Sequence, residues 1–113
     1  MTIYGIPNCD TMKKAMTWLK DHKIAFEFHD YKKEGISKIK LEAWCKKAGW
    51  ETILNKKSTS WRALSKTEQD KANNTGAAIS IMLANNSIIK RPVLENGKNL
   101  LVGFTEKEYL SLL

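Results

Sequence analysis

The first thirty residues constrain the fold most, because their hydrophobic period switches twice within a short span. A short apolar strand, residues 2–5, runs into a segment carrying Met12, Ala15, Met16 and Leu19. That i, i+3, i+4, i+7 stripe is one face of an amphipathic helix. Ile24, Phe26 and Phe28 then alternate, which predicts a second strand before the charged run 30–34 and the break at Gly35. A connection that contains a whole helix makes the two strands parallel. The chain therefore opens as β-α-β.

The rest of the chain follows the same rules. From Ser37 the apolar positions Leu41, Trp44, Cys45 and Ala48 predict a helix that stops at Gly49. Residues 50–64 read as turns and a helical fragment around the polar loop Lys56-Lys57-Ser58-Thr59-Ser60. Ser65 with Glu68 has capping-box spacing, and Thr75 is expected to cap a helix over 77–84. An extended run from Ile88 to Leu94 turns at Asn96-Gly97 and returns through residues 99–102, the strongest short hairpin signal available. Thr105 with Glu108 opens a last helix, whose buried edge is expected to be Tyr109, Leu112 and Leu113. The order is β-α-β, a helical middle, then β-β-α.

At 113 residues the chain has room for one domain and a compact site, not for a cofactor domain beside a substrate domain. No stretch approaches the roughly 20 apolar residues of a membrane span. Met1 leads straight into a strand without a basic-then-apolar leader, so the expected location is the cytoplasm. Nineteen Lys and Arg against twelve Asp and Glu give a net charge of +7. That excess suits anionic partners, a nucleic acid, an acidic protein surface or a small anion, or is simply a solvated lysine-rich surface. Trp18, Trp44, Trp50 and Trp61 lie in no basic-aromatic repeat, which speaks against nucleic-acid stacking and for packing. His22 and His29 have no metal-ligand spacing with the cysteines, so no metal site is expected.

Chemistry points to Cys9. In Ile6-Pro7-Asn8-Cys9-Asp10-Thr11 it stands where the strand-to-helix loop meets the helix, facing the positive end of the helix dipole, free N–H groups and nearby lysines, all of which favour thiolate. The bland alternative is a small buried side chain near a helix start. Cys45, on the apolar stripe of its helix, reads as core packing. Asp10 and Thr11 offer a side chain and a backbone N–H that cap the helix, bind an anion, or both. Asn8 shapes the approach to the thiol.

A β-α-β unit and a β-β-α unit joined by helix, with a cysteine at the mouth of the first helix and a proline opening strand three, resembles the thioredoxin fold. The joining segment exceeds a glutaredoxin's single linking helix, and Met12 stands where a second cysteine would complete a Cys-x-x-Cys pair. Both features are similar to the arsenate reductase (ArsC)/Spx family. The matching strings run from Ile3 to Ala15, through Leu54-Asn55-Lys56-Lys57, and from Ile89 to Leu94. Asn8-Cys9-Asp10-Thr11 and Trp61-Arg62 most resemble its YffB branch.

The resemblance implies an α/β, thioredoxin-like (glutaredoxin-like) mixed four-stranded sheet. Residues 1–36 and 87–113 would form the thioredoxin-like part of a single domain, and 37–86 its helical insertion. It also implies a thiol oxidoreductase with Cys9 as nucleophile, no bound cofactor, and glutathione or another small thiol as co-substrate, with a redox partner protein as a further partner. Arg91 matches the family arginine before the strand-three proline and would hold an anion near the thiolate; the residue-level alternative is a surface arginine at a strand end. Pro92 is expected to be cis and to present backbone to the substrate. Lys57 falls in or beside the position of the insertion arginine, the arginine after strand four falls near Gly103, and the loop histidine falls at Gly5. With two of three oxyanion-binding arginines absent, arsenate reduction ranks third, since a lysine does not reproduce a guanidinium fork. Second ranks a regulator that binds RNA polymerase in the manner of Spx.

Overall fold

A computed structural model describes residues 1–113. The chain divides into two compact units, Met1–Glu34 with Arg91–Leu113, and Gly35–Lys90.

The first unit carries the sheet. β1 (Thr2–Gly5) is central; it pairs in parallel with β2 (Glu27–Asp30) and antiparallel with β3 (Val93–Asn96), and β4 (Asn99–Val102) lies outside β3. The order β2-β1-β3-β4 is the mixed four-stranded sheet expected of a thioredoxin-like fold. α1 (Asp10–Asp21) supplies the crossover, with Met12, Ala15, Trp18 and Leu19 buried. These residues form one apolar cluster with Ile3, Leu94 and Tyr109. Burying each large side chain there contributes about 1.5–3 kcal/mol.

β2 begins later than the alternating pattern suggests, and the reason lies in how α1 ends. Lys23 takes a positive φ of 57°, its N–H bonds the Lys20 carbonyl, and the Ile24 N–H reaches back to Leu19. This is a Schellman closure with lysine in the left-handed position that glycine usually fills. Ile24 is thereby committed to the helix end, Ile24 and Phe26 pack on the cluster, and sheet pairing starts with Glu27. Phe28 is left 37% exposed. Residues 31–34 form a short helix, α2 (Tyr31–Glu34), because the buried Asp30 carboxylate accepts from the Lys32 N–H while Glu34 accepts from the Asp30 N–H.

Three further expectations shift. The hairpin loop is Gly97-Lys98, since Asn96 still pairs with Asn99. Gly97 has φ +60° and Lys98 does not share a positive φ, which is the pattern of a II′ turn rather than an Asn-Gly I′ turn. The run from Ile88 is not one strand: residues 86–88 form a 3₁₀ turn and the ladder begins at Val93. The last helix, α8 (Glu106–Tyr109), has the expected Thr105 cap and is followed by a 3₁₀ turn over residues 110–112. Tyr109 is fully buried, but Leu113 is 71% exposed and no part of a buried edge.

The second unit is helical: α3 (Lys38–Ala48), α4 (Trp50–Ile53), α5 (Thr59–Arg62), α6 (Lys66–Asp70) and α7 (Thr75–Ala84). Ser37, Ser58 and Ser65 cap α3, α5 and α6. α7 is capped by Asn74, whose side chain accepts from the Ala77 N–H, so Thr75 is its first residue rather than its cap. α3 packs on α4 and α7. Trp44 and Trp61 are buried here, and Lys56 lies 5.9 Å and 5.8 Å from the ring centres of Trp50 and Trp61. No helix in either unit is long and apolar enough to cross a membrane.

Candidate functional site

The site grows from the end of β1. After Gly5 the chain leaves the sheet through Ile6-Pro7-Asn8, and Cys9 becomes the N-cap of α1 with extended φ −131° and ψ 125°. Its carbonyl accepts the Lys13 N–H at 3.0 Å. A cysteine in this position sits against the unsatisfied N–H groups of the first helical turn. Its side chain makes no capping hydrogen bond of the ordinary kind, yet those groups act on the sulfur. Partial burial pushes the thiol upward, but the Met12 N–H, the Arg91 side chain and the Thr11 N–H outweigh it, so the Cys9 pKa lies below the ordinary thiol value. Asp10 and Asn8 are exposed beside it.

Arg91 arrives from the other end of the chain. Antiparallel pairing sets Tyr4 opposite Val93, so the residues just before β3 lie beside those just after β1. The Arg91-Pro92 peptide bond is cis, as expected, and Pro92 is buried with its carbonyl accepting the Gly103 N–H at 2.8 Å. Cys9, Thr11, Arg91 and Pro92 thus converge within one unit. Lys57 belongs to the helical unit, where it is exposed and its N–H bonds the Asn55 side chain at 3.1 Å.

Below the thiol, Met12 is fully buried and its side chain fills the space over Gly5. A Cβ on Gly5 would stand 2.8 Å from Met12 Cε and nearer still to its sulfur. Gly5 and Met12 are therefore one steric unit: the position that would carry a resolving thiol holds a core side chain that requires glycine at the end of β1. Cys45 is buried in the helical unit and both thiols are free. Burial, with a small contribution from Glu51, pushes Cys45 up and keeps it a thiol.

The sequence reading missed a polar group next to Arg91. Tyr4 donates a 2.5 Å hydrogen bond to Glu95, and the Tyr4 ring lies 6.5 Å from Tyr31 and 4.9 Å from His29. Burial first, then Glu95, pushes Tyr4 up; burial pushes Tyr31 up, reinforced by Tyr4 and Glu95 and opposed by Arg91. Tyr4 and Glu95 are diagonal neighbours on one sheet face, because Glu95 stands opposite Thr2. The only signal for the pair is strand register, which no local pattern carries.

A mixed four-stranded sheet with a cysteine at the mouth of its first helix and a cis-proline edge beside it defines a thioredoxin-like protein. The ArsC family model matches residues 4–112, and the chain belongs to the ArsC family. The structure of a YffB protein superposes with a TM-score of 0.92 at 50% identity, covering 97% of this chain and 96% of that one. An uncharacterized protein of Haemophilus influenzae is 41% identical over 109 residues, 96% of this chain and 95% of its own length. The global transcriptional regulator Spx 2 of Lactococcus lactis is 30% identical over 115 residues, all of this chain and 86% of the regulator.

Proposed function

We propose that this protein is a cytoplasmic thiol oxidoreductase that works through Cys9 alone and uses glutathione as co-substrate. The observation that carries the reading is the Cys9 thiol, held below its ordinary pKa by helix N–H groups and Arg91 at an accessible helix mouth. The Cys9 thiolate attacks one sulfur of a disulfide; its electron pair forms the new S–S bond, and the departing sulfur leaves as thiolate and takes up a proton. A second thiol then attacks the mixed disulfide and restores Cys9. Because Met12 is no nucleophile, this thiol comes from outside, and glutathione is its natural source. Arg91 offsets charge on the attacking and departing sulfurs, while Pro92, Asn8, Asp10 and Thr11 line the approach.

Incubation with oxidised glutathione followed by mass spectrometry tests the reading. A glutathione adduct on Cys9, absent from Cys9→Ser and removed by reduced glutathione, is the expected result. An unreactive Cys9 with the pKa of an ordinary thiol would overturn it.

The match to Spx 2 over the whole of this chain favours a second reading, a regulator that binds RNA polymerase. Recovery of polymerase with this protein in a pull-down, undiminished by Cys9→Ser, would favour that reading over catalysis.

A further inference from the structure

Outside the thiol's immediate surroundings, the sheet-bearing unit has a groove of about 350 Å³ along α1. One wall is Lys13, Lys14, Trp18 and Asp21; the other is Phe104 and Glu106. Its floor is aromatic, because buried Tyr109 meets Trp18 edge-on at 5.5 Å and Phe104 edge-on at 4.7 Å. The groove starts one helical turn from the reactive residue, where the Lys13 N–H bonds the Cys9 carbonyl, and Phe104 and Cys9 pack on the same cluster.

Its length distinguishes between possible occupants. At a rise of 1.5 Å per residue, Lys13 lies about 6 Å along the helix from Cys9, Trp18 about 13 Å and Asp21 about 18 Å. A tripeptide linked to Cys9 through its middle residue extends only about 7 Å either way, so glutathione reaches the lysines but not Asp21. An extended polypeptide at about 3.3 Å per residue reaches the lysines with its second residue, the aromatic floor with its fourth and Asp21 with its sixth. Side chains two apart share one face of an extended chain, so all three point into the groove together.

We propose that this groove binds a polypeptide, and that the oxidised substrate of Cys9 is a protein cysteine flanked by an acidic, an apolar and a basic residue at successive alternate positions. The proposal rests on the Cys9 reading above. Cys9 thiolate attacks the peptide sulfur of a peptide–S–S–R disulfide and expels R as thiolate, which takes up a proton. An added thiol, R′SH, attacks the Cys9 sulfur and releases the peptide thiol, and a second R′SH attacks the resulting Cys9–S–S–R′ and frees Cys9, so that R–S–S–peptide and two R′SH yield peptide thiol, RSH and R′–S–S–R′.

The test uses the full chain and two heptapeptides, Cys-Gly-Glu-Gly-Phe-Gly-Lys and its charge-exchanged form Cys-Gly-Lys-Gly-Phe-Gly-Glu, each as a chromophoric thionitrobenzoate disulfide. The measurement is the second-order rate of chromophore release and the ratio between the peptides. A ratio of about ten or more for the first peptide is expected, with inversion in the Lys13→Glu, Lys14→Glu double variant and collapse in Phe104→Ser. Because a ratio is read, changes in the intrinsic reactivity of Cys9 cancel. Equal rates for the two peptides, or a ratio unmoved by the double variant, overturn the groove proposal. Failure of Cys9 to react with N-acetylcysteine amide thionitrobenzoate, a small disulfide with the same chromophore and no flanking residues, instead overturns the thiol chemistry on which it rests.

Discussion

Tyr109 makes the sharpest energetic prediction. Its ring is fully buried against Trp18 and Phe104, but its hydroxyl oxygen is buried without a hydrogen-bond partner. An unsatisfied buried hydroxyl costs about 1–3 kcal/mol, and Tyr109→Phe removes it while keeping the ring and both edge contacts. Losing the oxygen forfeits several weak dispersion contacts of about 0.1–0.2 kcal/mol each, which leaves a net stabilisation of about 1–2 kcal/mol. Urea unfolding checks this: with m near 2 kcal/mol/M, the midpoint should rise by about 0.5–1 M at unchanged slope. The melting temperature should rise by about 4–8 °C for a chain of this size. The pH dependence adds an independent sign. Burial first, then Glu108, holds the Tyr109 pKa above its ordinary value, so its contribution is fully present below that value and is lost as pH rises beyond it. The advantage of Tyr109→Phe should therefore widen above about pH 10. A variant that unfolds at lower urea with the same slope would refute the reasoning, because it would mean the hydroxyl contributes a favourable interaction.

Two further outcomes concern the site. Arg91→Met should move the pH profile of Cys9 alkylation to higher pH, with Cys9 still labelled before the buried Cys45; an unmoved profile would exclude Arg91 from acting on the thiol. The sign for stability follows: the depressed Cys9 pKa favours the fold fully above the ordinary thiol value, and this is lost as pH falls through the Cys9 pKa, so Arg91→Met should flatten that rise. Gly5→Ala should destabilise by about 1–3 kcal/mol through overpacking against Met12, and Met12→Ala should relieve that clash in the double variant. Full additivity of the two changes in chemical denaturation would show that Gly5 and Met12 are not coupled.

Local order was legible because it depends on near neighbours. The α1 stripe, the Ser65 and Thr105 caps, the hairpin and the strand-to-helix junction at Cys9 each follow from residues a few positions apart. Failures occurred where a local motif took residues that a periodic pattern assigned elsewhere. Ile24 closes α1 through the left-handed Lys23 instead of opening β2, and Asn74 caps α7 before Thr75.

The candidate site divides the same way. That a cysteine meets a helix start, that Met12 replaces a second thiol and that Arg91 precedes a proline are facts of order along the chain. Which groups share space with the thiol depends on how the strands pair. Pairing between residues some ninety positions apart carries Arg91 to Cys9, joins Tyr4 to Glu95 and sets Phe104 across the groove from Lys13. The physical reason is that register is selected by burial of whole strand faces at once, a non-local choice that short-range sequence patterns do not encode.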